Sequence, residues 1–404
     1  MDEIRSSRSL AASVAALGIA QIISWGSLFY TIAVLGPALA TAAGVGEIAL
    51  FASFSAGLVV SGLLAPMVGQ RIDTHGGRSV LSGGSVLAAI ACAALALVQG
   101  PVSMLVAWLL AGVAMAATLY DPAFATLNDI AGPHYRRAVT ALTLFGGLAS
   151  TVFWPLSHLL LERVGLRETF AIYAVVHVVV CLPLHWWCVP ARSPRGAVAG
   201  ANRTAAGPAL HAQRAFLWLA TALALVSLVA SGISAHLIGL LTASGIGLGD
   251  AVFIGAMFGP MQVAGRVMEF TFARRIGPIA AGYLAFAAMA VSLVVLAVQN
   301  GVYALALLFV LGYGWSNGVL TIVRGTVPAE LFGREGYGAL LGRLALPQVI
   351  SRALAPAAVA GILVVDPSRF ATLATFVVCG VLACVAYRRA IVAARRGKEV
   401  EVSR

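Results

Sequence analysis

Residues 215–242 read AFLWLATALALVSLVASGISAHLIGLLT, a run without a single lysine or arginine. A helix needs roughly 20 apolar residues to cross the hydrocarbon core of a bilayer, and this run exceeds that. Eleven more long apolar runs surround it. On the N-terminal side they are Ser13–Leu39, Ile48–Val68, Ser79–Val98, Met104–Leu127, Ala138–Leu161 and Phe170–Val189. On the C-terminal side they are Ala251–Phe272, Ile279–Val298, Tyr303–Val323, Gly338–Val364 and Phe370–Tyr387. They are spans one to twelve in chain order, with Ala215–Thr242 the seventh. Strands of a membrane barrel are shorter and alternate apolar with polar residues, whereas these runs are continuous. The expected fold is therefore an all-α polytopic membrane protein of twelve transmembrane helices. Composition agrees: 404 residues are 60% hydrophobic and 10% charged, against about 25% charged in a soluble domain. The first run is too long for the apolar core of a cleavable signal and is expected to remain as a helix.

The formal net charge is +11, but its distribution removes the need for a nucleic-acid partner. If the N-terminus is cytoplasmic, 20 of the 26 lysines and arginines fall on that side, Arg324 among them at the end of span ten. Basic residues gather on the cytoplasmic face of membrane proteins, so both termini are predicted to be cytoplasmic, in an inner or plasma membrane. The basic tail is expected to touch anionic lipid. The five cysteines, Cys92, Cys181, Cys188, Cys379 and Cys384, show no metal-ligand spacing and read as small apolar residues. No His-Glu-x-x-His site and no phosphate-cradling loop occurs. Neither a membrane enzyme nor a nucleotide-driven pump is expected, and no metal or cofactor.

The stretch Pro190–Gln213 is rich in Pro, Gly, Ala and Arg. It divides the chain into six-helix bundles over 1–189 and 214–404, with 190–213 as a cytoplasmic linker. The halves look related. Small-residue runs open spans five and eleven, and each reaches a proline, Pro155 and Pro356; Ser61-Gly62 in span two matches Ala264-Gly265 in span eight. Such parallel repeats are common in secondary transporters, with substrate held near the midplane.

The most specific local motif is Gly69-Gln70-Arg71-Ile72-Asp73-Thr74-His75-Gly76-Gly77-Arg78, after span two. Its glycines suit a tight turn and close helix ends. Asp73 is placed to accept backbone hydrogen bonds at a helix N-terminus, here near Gly336–Gly338. Arg78 is expected to pair with Asp121. This loop resembles the signature loop of the major facilitator superfamily, and the resemblance extends to the twelve spans, the long central loop and the cytoplasmic termini. It implies a gate formed by Gly69, Asp73, Gly77, Arg78 and Asp121 that must break for the cytoplasmic face to open.

Only Arg266, Arg343 and Arg352 carry positive charge inside a span. A charge near the bilayer centre costs roughly 2.5–3.5 kcal/mol on insertion scales, so such residues usually have a use. Gly255, Gly259, Gln262, Arg266 and Glu269 share one face of span eight, where Arg266 and Glu269 can meet. Gln348 and Arg352 share a face of span eleven, with Arg352 near its middle. Arg343 sits close enough to the end to reach the surface. Two guanidinium forks match a carboxylate in two-point contact. The arrangement is similar to that of the carboxylate carriers of the superfamily, including the oxalate–formate exchanger and the monocarboxylate carriers. The resemblance implies Arg266 and Arg352 as anion ligands, although span one holds no basic residue.

His236, with Gly232 and Gly239 beside it, and Tyr30 on span one are further substrate-contact candidates, with Gln348 and Gln262. His236 and Glu269 are candidates for proton exchange. Span five carries a stripe of Thr140, Thr143, Gly147, Thr151, Trp154 and His158, expected to pack inward. Trp25 and Trp315-Ser316-Asn317 are possible cavity linings; His177 and His185 have no role in this reading. The expectation is a secondary active transporter of a small organic anion, coupled to protons. A drug or hydrophobic-compound efflux pump is the rival, disfavoured because the midplane excess is basic.

Overall fold

The computed structural model describes residues 2–191, 210–272, 276–332 and 337–402. Among them, twelve helices are long and apolar enough to cross a membrane: Leu10–Tyr30, Glu47–Ile72, Gly77–Ala96, Pro101–Ala131, Arg137–Val164, Leu166–Cys188, Gln213–Thr242, Leu248–Glu269, Pro278–Val298, Tyr303–Phe332, Arg343–Val365 and Phe370–Arg396. Most of the linker, 192–209, lies outside the described residues.

The chain groups into two units. One holds Met1–Arg195 with Ala251–Gly259; the other holds Gly196–Asp250 with Pro260–Arg404. The first half of span eight thus goes with the first unit. Each unit repeats one pairing scheme. In the first, span one packs on spans five and six, and span three on spans four and six; in the second, span seven packs on eleven and twelve, and span nine on ten and twelve.

Helices in lipid gain little from apolar burial and associate instead through close packing. In each unit glycine brings two helix backbones into direct contact. A methyl group on Gly57 would strike the carbonyl of Trp108, and one on Gly112 would strike the backbone of Gly57, so spans two and four touch backbone to backbone. In the second unit the same holds for spans eight and ten: Gly265 meets the Trp315 carbonyl and Gly318 the Gln262 carbonyl.

Several spans are less regular than continuous apolar runs suggest. Span one turns π-helical over Trp25–Tyr30, and the helix resumes at Ile32–Ala43. Span six does so over His177–Cys181, ending two residues before Pro183. Span four breaks at Leu119, three residues ahead of Pro122, and span eight at Met257, three ahead of Pro260. Proline lacks the N–H that would bond the carbonyl four residues back, and its ring crowds that carbonyl.

The chain answers these prolines with donors from other spans. Pro122 leaves the Thr118 carbonyl without its helical donor, and Gln21 Nε2 supplies one at 2.7 Å. Pro260 does the same to Ala256, which accepts from Thr151 Oγ1 at 2.8 Å. Pro356 does so to Arg352, which accepts from Ser231 Oγ at 2.7 Å. Each bond satisfies a buried polar group and ties two spans together.

Candidate functional site

The second unit brings the expected polar residues onto spans eight, ten and eleven. Arg266 is only 4% exposed, and its Nη2 donates to Gln262 Oε1 at 3.3 Å, one helical turn back. Span ten backs this turn through the Gly318 and Trp315 contacts above. Glu269 lines a largely apolar pocket with Met268, Leu284, Trp315 and Val319. Arg266 and Glu269 lie on one face of span eight, beside the Gln262 amide and a largely apolar pocket.

Arg352 is half-buried. Its guanidinium meets no hydrogen-bond or ion-pair partner among the described residues, while its backbone is held by Ser231. Gln348, one turn earlier on the same helix, is buried. Its Nε2 donates to Leu344 O at 2.7 Å and its Oε1 accepts from Arg324 Nη1 at 3.4 Å. Arg343 is exposed.

His236 is buried, with Nε2 2.9 Å from the Pro356 carbonyl. A carbonyl only accepts, so this nitrogen carries the hydrogen. Span seven therefore grips the irregular turn of span eleven twice, through Ser231 at Arg352 and through His236 at Pro356. One nitrogen of the expected substrate or proton ligand is committed to this backbone bond.

In the first unit, Tyr30 is half-buried and stands 5.6 Å from Trp154, edge to face. Its carbonyl accepts from Trp154 Nε1 at 3.0 Å. Trp25 lies 5.1 Å from Tyr120, which stacks on Phe124 at 5.2 Å. Trp25 Nε1 also donates to Gln21 Oε1 at 3.1 Å, turning the amide nitrogen of Gln21 towards span four. Of the span-five stripe, Thr151 and Trp154 serve neighbouring helices, and His158 lies 3.6 Å from Glu162.

The expected gate takes a different form. Residues from Gly69 to His75 continue the helix Glu47–His75, and the chain reverses at Gly76 alone. Gly76 has φ +82°, a conformation open chiefly to glycine. Gly77 seats directly against Thr126, whereas Gly69 faces open space. Arg78 does not pair with Asp121: its Nε donates to Val189 O at 2.7 Å, and Asp121 is exposed. The backbone carbonyl at the end of span six is the nearer acceptor. The side chain of Asp73 and residues 333–336 lie outside the described residues, and with them the expected contact near Gly336–Gly338.

Two histidines without a role in the sequence reading are fully buried links between spans. His177 Nε2 lies 2.8 Å from Ser27 Oγ, joining the two π-helical turns of the unit. His185 Nδ1 lies 2.8 Å from Ser85 Oγ. Nothing in their own spacing signals this, because the partners are single serines on distant helices.

The sequence pattern of the Major Facilitator Superfamily matches residues 17–321. An uncharacterized 38 kDa protein in the 23S RNA operon of Thermoproteus tenax is 29% identical over 384 residues, 94% of each chain. Among solved structures, a bacterial homologue of the human lysosomal transporter Spinster, inward-facing and occupied, superposes with a TM-score of 0.71 at 14% identity, over 95% of this chain and 96% of that one. The nucleoside transporter NupG gives 0.73 at 14% identity, over 95% and 99%. At such identity these two establish similarity of fold.

Proposed function

The chain belongs to the Major Facilitator Superfamily, and from that premise we propose that this integral membrane transporter carries a small, carboxylate-bearing organic anion by alternating access. The observation that supports this reading is Arg352. A guanidinium in the middle of a membrane span, without a protein partner among the described residues, is costly unless something else neutralises it. A planar carboxylate fits its fork in two-point contact. Arg266, which donates to the amide of Gln262, is the candidate guanidinium on span eight. Gln348, Gln262 and Tyr30 complete the candidate contacts.

Proton coupling belongs to the same proposal, with Glu269, an acidic side chain lining a largely apolar pocket, as the carrier to test first. His236 is the second candidate. The gate is proposed to involve Gly69, Asp73, Gly77, Arg78 and Asp121, with Arg78 exchanging its hold on Val189 during opening. The basic face, with both termini, is placed in the cytoplasm, in contact with anionic lipid of the inner or plasma membrane.

A second reading is export of flat hydrophobic compounds, favoured by the aromatic run Trp25, Tyr120 and Phe124. Uptake into proteoliposomes separates the two. Labelled formate, acetate, lactate, oxalate and succinate are offered with and without an inward proton gradient, beside a hydrophobic dye. The anion reading expects saturable uptake of at least one acid, faster with the gradient and reduced about tenfold or more by Arg352→Gln. Dye movement alone, or acid uptake indifferent to Arg352, sinks it. Uptake that ignores the gradient removes the coupling.

A further inference from the structure

Spans seven and twelve lie antiparallel. The Leu240 carbonyl accepts from Arg369, Gly232 seats against Phe376, and Trp218 lies under the Arg389 guanidinium, whose carbon is 5.2 Å from the ring centroid. Arg389 sits where the exposed face of span twelve changes character. Val378, Leu382 and Val385 are exposed at helical spacing on one face, and Arg389 continues that face, also exposed. Arg214 is exposed one turn before Trp218, ~6 Å further along the same side of span seven. Tryptophan settles at the level where hydrocarbon meets headgroups. The ring of Trp218 therefore marks the level at which an apolar stripe gives way to two guanidinium groups. Among the described residues neither arginine meets a carboxylate.

A guanidinium lying over an indole keeps the N–H donors along its edge, and that edge matches two oxygens of a phosphate. The ring contact also removes freedom that an arginine side chain otherwise loses on binding an anion. A general attraction between basic residues and an anionic leaflet requires neither the ring nor the stripe. We propose that the Trp218–Arg389 pair is the centre of a discrete site for one anionic phospholipid. Arg389 and Arg214 hold its phosphate, and an acyl chain runs along Val385, Leu382 and Val378. The inference rests on the contact of the basic face with anionic lipid proposed above and narrows it to one seat. It is independent of the cargo.

Native mass spectrometry of the purified full-length protein tests this, with phosphatidylglycerol or phosphatidylcholine titrated into detergent. The wild type is expected to bind a first phosphatidylglycerol about tenfold tighter than a second, and about tenfold tighter than phosphatidylcholine, whose choline neutralises the phosphate. Arg214→Gln combined with Arg389→Gln is expected to weaken the first step about tenfold. Arg71→Gln combined with Arg137→Gln removes the same charge from exposed positions of the first unit, and should leave that step within about twofold. Trp218→Leu changes no charge and is expected to weaken it about threefold, which keeps the test open if the double variant fails to fold. Equal losses in the two double variants, wild-type binding by Trp218→Leu, or no preference for phosphatidylglycerol overturns the proposal. Displacement of the lipid by millimolar inorganic phosphate overturns it too, by assigning the pair to a free anion. Binding in detergent is blind to orientation, so these failures sink the site alone. A C-terminal tag reached by protease only from outside sealed cells sinks the cytoplasmic placement instead.

Discussion

The hydroxyl of Ser231 bonds the carbonyl oxygen of Arg352 at 2.7 Å because Pro356 has no N–H to offer it. Removing the hydroxyl leaves a buried carbonyl unsatisfied in lipid. Hydrogen bonds between membrane helices average about 0.6 kcal/mol and reach about 1.7. Ser231→Ala is expected to destabilise the protein by roughly 1 kcal/mol in thermal or denaturant unfolding. Pro356→Ala restores the helical donor, so Ser231→Ala should cost less in that background. A double-mutant cycle with coupling of about 0.5 kcal/mol or more is the expected outcome; strict additivity contradicts the account.

Gln21 supports span four by the same logic, through the Thr118 carbonyl that Pro122 leaves open. Gln21→Leu keeps the volume and loses the donor. It is expected to destabilise by about 1–2 kcal/mol, with Trp25→Phe costing less because it removes only the bond that aims the amide. Both are read from unfolding of the detergent-solubilised protein. A larger cost for Trp25→Phe than for Gln21→Leu would reverse the assigned roles.

Gly112 and Gly318 each sit against backbone, which cannot rotate away as a side chain can. Gly112→Ala and Gly318→Ala are expected to lose about 1–3 kcal/mol through overpacking. Gly361, on span eleven with open space around it, is the comparison. There an added methyl group should be neutral or stabilising, since alanine favours helix more than glycine. Equal effects at all three sites would mean that close approach is not what glycine provides.

Asp366, in the short connection between spans eleven and twelve, accepts from the Ala371 N–H at 2.6 Å and from the Ser368 N–H at 3.0 Å, and its Oδ1 also accepts from the Ser368 hydroxyl. These donors, Ala371 first, hold its carboxyl below the ordinary carboxylate range. A depressed folded-state pKa stabilises the protein above the unfolded-state value of ~3.9, and that contribution is lost as pH falls through the folded-state value. Thermal unfolding between about pH 6 and pH 3 should show the wild type losing stability on the acid side, with a shallower loss in Asp366→Asn. Parallel curves for the two proteins would contradict this.

The twelve helices are legible in the sequence because bilayer thickness imposes length and apolarity on each, whatever its neighbours do. The four-residue spacing of Gln262 and Arg266 is also legible, since helix geometry alone sets it. What escapes is contact with backbone. Arg78 meets Val189 and His236 meets Pro356 through carbonyl oxygens, which leave no mark on residue identity. Arg324 escapes for a related reason: distance along span ten gives its depth, while its reach to Gln348 depends on how two helices lie together. The prolines do give a usable signal. Each points to a carbonyl four residues earlier that requires an outside donor, though not to which helix supplies it.

The π-helical turn at Trp25–Tyr30 has a consequence for how span one tolerates change. Such a turn carries one surplus residue relative to a regular helix, and one residue corresponds to a rotation of ~100° about the axis. The stretch before it, with Gln21, is therefore phased against the stretch after it by that extra step. Deleting a single residue there would yield a smoother helix on paper. It would also swing Gln21 off span four or carry Ser27 away from His177, so the more regular cylinder would be the less stable one.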